Sequence, residues 1–154
     1  MLKENNQAPL SIKLIDEKSQ KTSLEKLLGK KILIYFYPKD NTPGCTIEAC
    51  NFRDANQEIA NKNIQIIGVS KDSQSSHQKF KKKFSLNFPL WSDPDHKLME
   101  AFGAWGEKRM MGKTYFGTKR STFLINERGK IIKVWLNVKA KNHSQEVLDY
   151  IQQL

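Results

Sequence analysis

Apolar residues fall into short continuous runs, separated by stretches in which apolar and polar positions recur at helical spacing. Two runs rich in β-branched and aromatic residues, 31–37 and 64–70, predict strands that are buried on both faces. A third run, 88–92, predicts another short strand, and alternation over 10–15 predicts an edge strand. The pattern therefore predicts a sheet whose central strands are covered on both sides.

Helices are predicted between and after these strands. The longest covers 42–60 and starts with Thr-Pro-Gly, so that Thr42 or Asn41 is the expected N-cap and Pro43 an early helical residue. Shorter helices are predicted over 22–28, 74–84, 95–102 and 144–152.

The C-terminal half adds a loop and a hairpin. Residues 103–117 contain four internal or flanking glycines and few strand signals, which indicates a loop that crosses the surface. The runs 120–126 and 130–136, joined by Glu-Arg-Gly, predict an antiparallel hairpin. In this order the elements predict one α/β domain over 1–154, with a mixed central sheet flanked by helices, as in a thioredoxin-like fold.

The composition fits one globular domain without a membrane span. A chain of 154 residues, 38% of them hydrophobic, can bury a sizeable core. No apolar run reaches the roughly 18 residues expected of a transmembrane helix, and the N-terminus lacks the apolar segment of a secretory signal. We therefore expect a cytoplasmic protein with no membrane partner.

The net charge of +10 raises the question of nucleic acid. Only four of the 26 basic residues are arginine, and the densest basic stretch, 79–83, falls within a predicted amphipathic helix. A groove for phosphates more often shows clustered arginines with interleaved aromatics. The charge is therefore interpreted as a solvated, Lys-rich surface that binds nucleic acid at most nonspecifically and in a salt-sensitive way.

The chain has two cysteines, Cys45 and Cys50. Cys45 follows the Thr-Pro-Gly sequence and falls in the first turn of the predicted helix, where free backbone N–H groups and the helix dipole favour the reactive thiolate. It also follows a central strand, and ligands of open α/β sheets bind at the carboxyl ends of the strands. Cys45 is therefore the candidate nucleophile, and Cys50 is a candidate partner for its oxidised sulfur.

Helical geometry keeps the two cysteines apart while the helix is intact. Five residues advance about 7.5 Å along the axis and leave the two Cα atoms about 8–9 Å apart. A disulfide requires Cα atoms within roughly 7 Å of each other. A bond between Cys45 and Cys50 therefore requires local unwinding, which argues against a static structural disulfide and favours oxidation coupled to a conformational step.

Other roles for the cysteines have less support. Cys50 taken alone would be an ordinary core residue. His77, His96 and His143 lack the spacing of metal ligands or of a Cys–His nucleophile pair, so no metal site is predicted. The spacing excludes a Cys-x-x-Cys exchanger but leaves a looser thiol–disulfide exchange protein open. No nucleotide or flavin fingerprint indicates a cofactor.

The residues around Cys45 resemble a known active-site motif. The spacing Pro38-x-x-x-Thr42-x-x-Cys45 is similar to that of peroxiredoxins. The run Tyr-Phe-Tyr-Pro-Lys-Asp-Asn-Thr-Pro-Gly-Cys-Thr-Ile-Glu-Ala-Cys over 35–50 resembles the bacterioferritin comigratory protein or PrxQ branch of that family. Further similar segments follow in order along nearly the whole chain, at 68–73, 76–80, 90–93 and 117–123.

This resemblance implies a peroxidase that reduces hydrogen peroxide and organic hydroperoxides. Cys45 is implied to be the peroxidatic cysteine, and Thr42 to hydrogen-bond both the thiolate and the substrate oxygen. Arg120 is implied to stabilise the thiolate and to polarise the peroxide. Pro43 is implied to shield the sulfur from water, and Pro38 to shape the loop. Preorganised donors of this kind suit the negative charge that develops on the leaving oxygen.

The resemblance also implies how the enzyme is regenerated. Cys50 resembles the resolving cysteine found in the same helix in one PrxQ subgroup, so an intramolecular Cys45–Cys50 disulfide is expected. Thioredoxin or a similar dithiol protein is the implied reductant, and a monomer is the usual state of the subgroup. Lys119, on the opposite face of the strand from Arg120, is retained only as a fallback for its role.

Two rival functions are considered beside the peroxidase. A thiol–disulfide exchange protein on the same fold would have no need of the anion-polarising Arg120. A basic nucleic-acid-binding protein with incidental cysteines would reveal itself in a salt titration against duplex DNA.

Overall fold

A mixed seven-stranded sheet forms the centre of the structure, a computed structural model that describes residues 2–154. The strands along the chain are β1 (Leu14–Ile15), β2 (Lys21–Thr22), β3 (Lys31–Phe36), β4 (Ile64–Ser70), β5 (Leu90–Ser92), β6 (Trp105–Met110), β7 (Lys113–Thr118), β8 (Ser121–Ile125) and β9 (Ile131–Trp135). In the central sheet they lie in the order β2-β1-β5-β4-β3-β8-β9. β4 is parallel to both β3 and β5, whereas β8 is antiparallel to both β3 and β9.

Within the described chain four helices cover the two faces of this sheet. They are α1 (Pro43–Asn61), α2 (Gln74–Phe84), α3 (Lys97–Phe102) and α4 (His143–Ile151). Apolar residues of α1, α2 and α4 share one core cluster, and those of α3 belong to a second cluster on the other face. None of the helices over residues 2–154 is long and apolar enough to cross a bilayer.

The central strand β3 shows why both faces are covered. Its side chains alternate, so that Leu33 and Tyr35 pack in the cluster of α1, while Ile34 and Phe36 pack in the cluster of α3. All four side chains are buried. A strand that is apolar at every position needs apolar partners on both sides, and the helices provide them.

The parallel strands end together at one edge of the sheet. β3 and β4 pair from Lys31 opposite Ile64 to Phe36 opposite Val69. Directly beyond this edge the chain leaves β3 for α1 and leaves β4 for α2. The first turn of α1 therefore lies at the carboxyl edge of the parallel strands, the position at which open α/β sheets bind ligands.

The structure confirms the predicted mixed sheet flanked by helices. β4 and α2 span the predicted residues, and β3 ends one residue earlier than predicted. The longest helix begins at Pro43 with Thr42 as its N-cap, and the hairpin of β8 and β9 forms around the Glu-Arg-Gly turn. The continuous apolar runs were sufficient to predict the central strands, because a strand buried on both faces is apolar at nearly every position.

The predicted surface loop over 103–117 is wrong. These residues form the β6–β7 hairpin, paired in register from Trp105 opposite Thr118 to Met110 opposite Lys113. Its two turn residues, Met111 and Gly112, both have left-handed backbone, with φ of +53° and +80°. The hairpin lies apart from the central sheet and is largely exposed, so its strands carry no apolar alternation that would reveal them in the sequence.

Two N-terminal predictions are too long. Of the strand predicted over 10–15, only Leu14–Ile15 pairs with its neighbours. The helix predicted over 22–28 is a 3₁₀ turn over Leu24–Leu27, followed by Gly29 with φ of +100°. Leu24 is buried while the residues after it are largely exposed, so one anchored side chain supports a single turn but not a longer helix.

Candidate active site

Cys45 lies in the first turn of α1, behind the loop that follows β3. Thr42 is the N-cap, and Pro43 is the first helical residue, where its fixed φ and missing N–H are tolerated best. The Thr42 carbonyl accepts the N–H of Thr46 at 2.8 Å and closes the first turn around the thiol. Cys45 is only 1% exposed and belongs to the same apolar cluster as Phe52. Its sulfur is therefore largely shielded from water.

Arg120 reaches this buried sulfur from the neighbouring strand. Its Nη2 donates to Cys45 Sγ at 3.3 Å. Arg120 directly precedes β8, whose first residue, Ser121, pairs with Phe36 at the end of β3. Because β8 is antiparallel to β3, the residue before β8 falls at the edge where α1 begins. The Arg120 carbonyl also accepts the N–H of Val138 at 3.2 Å, which fixes its backbone.

Glu48 completes an ionic bridge around the sulfur. Arg120 Nη1 donates to Glu48 Oε1 at 2.6 Å, and Glu48 is three residues beyond Cys45 on the same helix, on the neighbouring turn. The Glu48 side chain is 1% exposed. Its second oxygen, Oε2, has no hydrogen-bond partner among the residues described. One guanidinium thus faces a thiol and a buried carboxyl group at the same time.

Burial affects the pKa of both charged side chains in this bridge. Burial raises the pKa of Glu48 from its ordinary 4.5 to about 7, against the opposing effect of Arg120. For Arg120, burial acts to lower the pKa, but Glu48 and Cys45 outweigh it and the pKa lies above its ordinary value. Arg120 therefore stays cationic, whereas the charge of Glu48 changes near neutral pH.

The other predicted residues of the loop lie close by in different contacts. Thr42 is half-buried, and its Oγ1 donates to the carbonyl of Lys39 at 2.9 Å. It is the N-cap by position, with no side-chain bond to the helix within residues 2–154. Pro43 is exposed and Pro38 is half-buried. The hydroxyl proton of Thr42 is thus directed at the backbone, and its lone pairs are left to accept.

The second cysteine shares the helix but not the pocket. Cys50 is half-buried, and neither Cys45 nor Cys50 is bonded to another cysteine in the described chain. α1 is continuous from Pro43 to Asn61, so both thiols are held on one rigid element. This is the reduced, closed arrangement expected from helical geometry.

The structure therefore brings Arg120 to Cys45 and keeps Cys50 on the same helix. Glu48 was not predicted as a site residue, although its spacing of three from Cys45 on a helix places it beside the thiol. The fallback Lys119 is exposed and lies against Gly106 of the hairpin. A further cation, Lys108 on β6, donates to the Thr118 carbonyl at 2.8 Å, and its pKa is lowered by burial and then by Arg120.

These features together define a class. A thiol at the start of a helix, on the carboxyl edge of a mixed sheet and in contact with a fixed guanidinium, is the arrangement of a thiol-dependent redox enzyme. The comparisons with known proteins narrow this class.

Residues 5–134 match the AhpC/TSA family. Peroxiredoxin Bcp of Bacillus subtilis is 46% identical over 151 residues, covering 98% of this chain and 96% of the relative. A solved structure of the Xanthomonas campestris bacterioferritin comigratory protein, described for its alkyl peroxide reduction activity, superimposes with a TM-score of 0.90 at 36% identity and covers 98% of both chains. A Xylella fastidiosa PrxQ mutant reaches a TM-score of 0.92 at 34% identity, covering 99% of this chain and 97% of that one.

The chain belongs to the AhpC/TSA family, among the peroxiredoxins of the Bcp and PrxQ type. It is a thiol peroxidase with a thioredoxin-like fold.

Proposed function

We propose that Cys45 is the peroxidatic nucleophile and that Arg120 is the group that activates both the thiol and the peroxide. The observation that carries this proposal is the 3.3 Å contact from Arg120 Nη2 to the buried Cys45 sulfur. A cation held in contact with sulfur favours the thiolate over the thiol. In a site shielded from water, the same cation acts more strongly on charge that develops during the reaction.

The first step is a displacement at oxygen. The Cys45 thiolate attacks the terminal oxygen of a hydroperoxide ROOH, the O–O bond breaks, and RO⁻ leaves and takes up a proton as ROH. The sulfur becomes a sulfenic acid and is oxidised by two electrons. Negative charge builds on the departing oxygen, where the Arg120 guanidinium and the N–H groups of the first helical turn can stabilise it.

The residues before Cys45 complete the pocket in this proposal. Thr42 accepts a hydrogen bond from the bound peroxide through its free lone pairs, or donates one once its hydroxyl turns from the Lys39 carbonyl it now contacts. Pro43, on the exposed side of the first turn, limits the access of water to the sulfur, and Pro38 shapes the loop. Glu48 holds Arg120 in place through their 2.6 Å ion pair.

The second step uses Cys50. The Cys50 thiol attacks the sulfenic acid of Cys45, releasing water and forming the intramolecular disulfide. The two Cα atoms are too far apart for this bond in an intact helix, so the first turns of α1 must open. An external dithiol protein then reduces the disulfide by exchange and is itself oxidised.

The substrate class is a hydroperoxide and the reductant is a thiol. Within these classes we propose hydrogen peroxide and alkyl hydroperoxides as substrates, since a solved relative is described for alkyl peroxide reduction, and thioredoxin as the reductant. A monomeric state and a cytoplasmic location stay predictions of the sequence. The whole cycle needs only the side chains of one protein molecule and the two co-reactants.

The proposal is tested by following peroxide consumption with a thioredoxin system. Cys45→Ser is expected to abolish turnover, because it removes the nucleophile. Cys50→Ser is expected to complete one stoichiometric oxidation but to lose recycling by thioredoxin, because no disulfide can form in the chain. Full peroxidase activity in the Cys45→Ser protein would show that the mechanism is wrong.

The role of the cation is tested with Arg120→Met and Arg120→Lys. Loss of the cation is expected to lower kcat/KM for hydrogen peroxide by about a hundredfold. Lysine keeps the charge but cannot bridge Cys45 and Glu48, so we expect an intermediate loss of about tenfold. Arg109→Met on the exposed part of β6 is the matched control and should retain activity. Equal kcat/KM in all three proteins would show that Arg120 does not activate the thiol or the peroxide.

A further inference from the structure

A buried polar cluster lies five residues before Cys45, at the far end of the same loop. Its centre is the Asp40 carboxylate, whose side chain is 3% exposed. This group accepts hydrogen bonds from Tyr37 Oη at 2.5 Å and from Ser76 Oγ at 2.8 Å. His77 Nδ1 lies 2.7 Å from Asp40 Oδ2. Three side chains from two other parts of the chain therefore converge on one loop residue.

The protons in this cluster follow from its partners. His77 Nε2 lies 3.2 Å from the carbonyl oxygen of Trp91. A carbonyl only accepts, so Nε2 carries a hydrogen, and the 2.7 Å contact of Nδ1 with Asp40 holds another proton. Whichever atom holds that proton, the Asp40–His77 pair is neutral as a whole, which makes its burial tolerable. Burial raises the pKa of Tyr37 well above its ordinary value, so its hydroxyl remains a donor.

The backbone of the same residue is also fixed. The N–H of Asp40 donates to Asp72 Oδ2 at 2.8 Å, and this oxygen accepts Ser70 Oγ at 2.8 Å as well. Ligand atoms of Asp40, Asp72 and His77 lie within 4.8 Å of one another. A metal would find both nitrogens of His77 already engaged, however, and the contacts between these residues are hydrogen bonds. The cluster serves to hold the loop.

The segment after Asp40 contains the part of the chain that must move. Asn41 has left-handed backbone, with φ of +62°, and the first turn of α1 comes directly after Thr42. On the other side of Cys45, the helix is fixed again by Ala49 and Phe52, which are fully buried. Residues 41–49 therefore lie between two fixed points, and they include the turns that must open before Cys45 can meet Cys50.

We propose that Asp40 and His77 are positioning residues, which form a fixed hinge from which the Cys45 segment opens and to which it returns. The proposal rests on the proposed cycle, in which α1 opens to form the Cys45–Cys50 disulfide. The hinge sets where the opening stops on the N-terminal side. It also holds the first helical turn in register with Arg120 in the closed state, in which peroxide reacts.

A hinge at Asp40 and His77 should affect the oxidation of Cys45 and the formation of the disulfide in opposite directions. A weakened hinge favours the open segment, so Cys45 spends less time beside Arg120 and reacts more slowly with peroxide. Formation of the disulfide, which needs the open segment, becomes faster. General loss of stability has no reason to change the two rates in opposite directions.

The test compares Asp40→Asn, His77→Gln and the double variant in single-turnover mixing with hydrogen peroxide. Sulfenic acid and disulfide are measured by acid quench and mass spectrometry. We expect each single variant to slow oxidation of Cys45 by about tenfold or more and to accelerate disulfide formation by a few-fold. The double variant should resemble the single ones, because each substitution breaks the same contact.

The matched control is Asp93→Asn. Asp93 is equally buried and accepts the N–H groups of Leu98 and Met99 at 3.2 and 2.9 Å, but it caps α3 on the other face of the sheet. This variant should leave the ratio of the two rates unchanged. If the Asp40 and His77 variants behave like the Asp93 control, or slow both steps alike, the hinge proposal is overturned.

Two milder substitutions test the proposal if the Asp40 and His77 variants do not fold. Tyr37→Phe and Ser76→Ala each remove one hydrogen bond to Asp40 and keep the carboxylate. Both should shift the ratio of the two rates in the same direction by a smaller factor, and an unchanged ratio in both would overturn the proposal. Failure of the underlying cycle would look different, since disulfide would then not form in the unsubstituted protein at all.

Discussion

Arg120 has to serve two acidic groups with one charge. Its guanidinium contacts Cys45 Sγ through one nitrogen and Glu48 Oε1 through another, a geometry that a planar, forked cation allows. When Glu48 is ionised, it competes with the thiolate for this charge. When Glu48 is neutral, more of the cation's field acts on the sulfur. The carboxyl group therefore both orients the arginine and moderates it.

Glu48 also makes stability depend on pH. Its pKa is about 7 in the fold against an ordinary 4.5, so the folded protein binds this proton more tightly than the unfolded chain. The resulting stabilisation is fully present below pH 4.5 and is lost as the pH rises through about 7. A difference of this size corresponds to about 3 kcal/mol in the free energy of unfolding.

Glu48→Gln is expected to remove this pH dependence. Urea unfolding of the reduced protein between pH 5 and pH 8 should give a flatter profile for the variant than for the unsubstituted protein. Glu127→Gln is the control, because Glu127 is an exposed carboxylate paired with Lys31 and its pKa is lowered. Its profile should run parallel to that of the unsubstituted protein over this range, and parallel profiles for Glu48→Gln as well would contradict the assignment.

At this scale the sequence could identify only part of the site. Cys45 follows from its place at the start of a helix, and Arg120 from the resemblance around it. Glu48 pairs with Arg120 across 72 residues of sequence, and His77 meets Asp40 across 37. Such contacts depend on how β3, β8 and α2 are arranged in space, which no local pattern records.

At the scale of elements, the buried helices and strands were predicted correctly and the exposed ones were not. β3 and β4 are continuous apolar runs and α2 has apolar positions at helical spacing because all three face a core, and their bounds were predicted within one residue. The β6–β7 hairpin lies outside the central sheet and exposes Met110, Met111 and Phe116. Its strands are held by their own ladder, so neither face has to be apolar.

The turn of this hairpin offers a direct test. Met111 is 96% exposed and has left-handed backbone, a conformation that is unfavourable for methionine but well tolerated by asparagine. Met111→Asn, which creates the preferred Asn-Gly turn, is expected to stabilise the hairpin by about 1 kcal/mol. Amide hydrogen exchange of β6 and β7 should slow accordingly.

The control for this substitution is the preceding residue. Met110 is also exposed but belongs to β6, opposite Lys113. Met110→Asn should therefore not slow exchange, because asparagine is disfavoured within strands. Equal exchange in the Met111→Asn and unsubstituted proteins would show that the turn is not strained.

At the scale of the whole molecule, the positive charge is separate from the chemistry. The lysines of the 79–83 segment lie on the outer side of α2, while His77 and Phe80 of the same helix are buried. This is the division expected of an amphipathic helix. The cation that contacts Cys45 is the half-buried Arg120, which lies on a different element from these lysines.

The arrangement of strands in the mixed sheet places the site residues at one edge of the molecule. Its parallel strands deliver the loop of Asp40 and the first turn of α1 to one edge, and the antiparallel β8 returns Arg120 to the same edge. The order of elements was sufficient to predict this fold, because a strand followed by a helix and a parallel strand has few alternative arrangements. The precise contacts at the edge required the structure.

The presence of both cysteines on one helix has a consequence for survival under oxidative load. In the proposed cycle, closing the disulfide is a first-order event, and its rate is indifferent to how much peroxide or protein surrounds it. A second peroxide molecule that reaches the sulfenic acid first would carry Cys45 to the irreversible sulfinic acid, in a step proportional to peroxide concentration. The two outcomes are equally frequent at one peroxide concentration. This concentration equals the rate constant of disulfide formation divided by that of over-oxidation. Because α1 must open before the disulfide forms, slower opening lowers the peroxide concentration above which over-oxidation of Cys45 prevails.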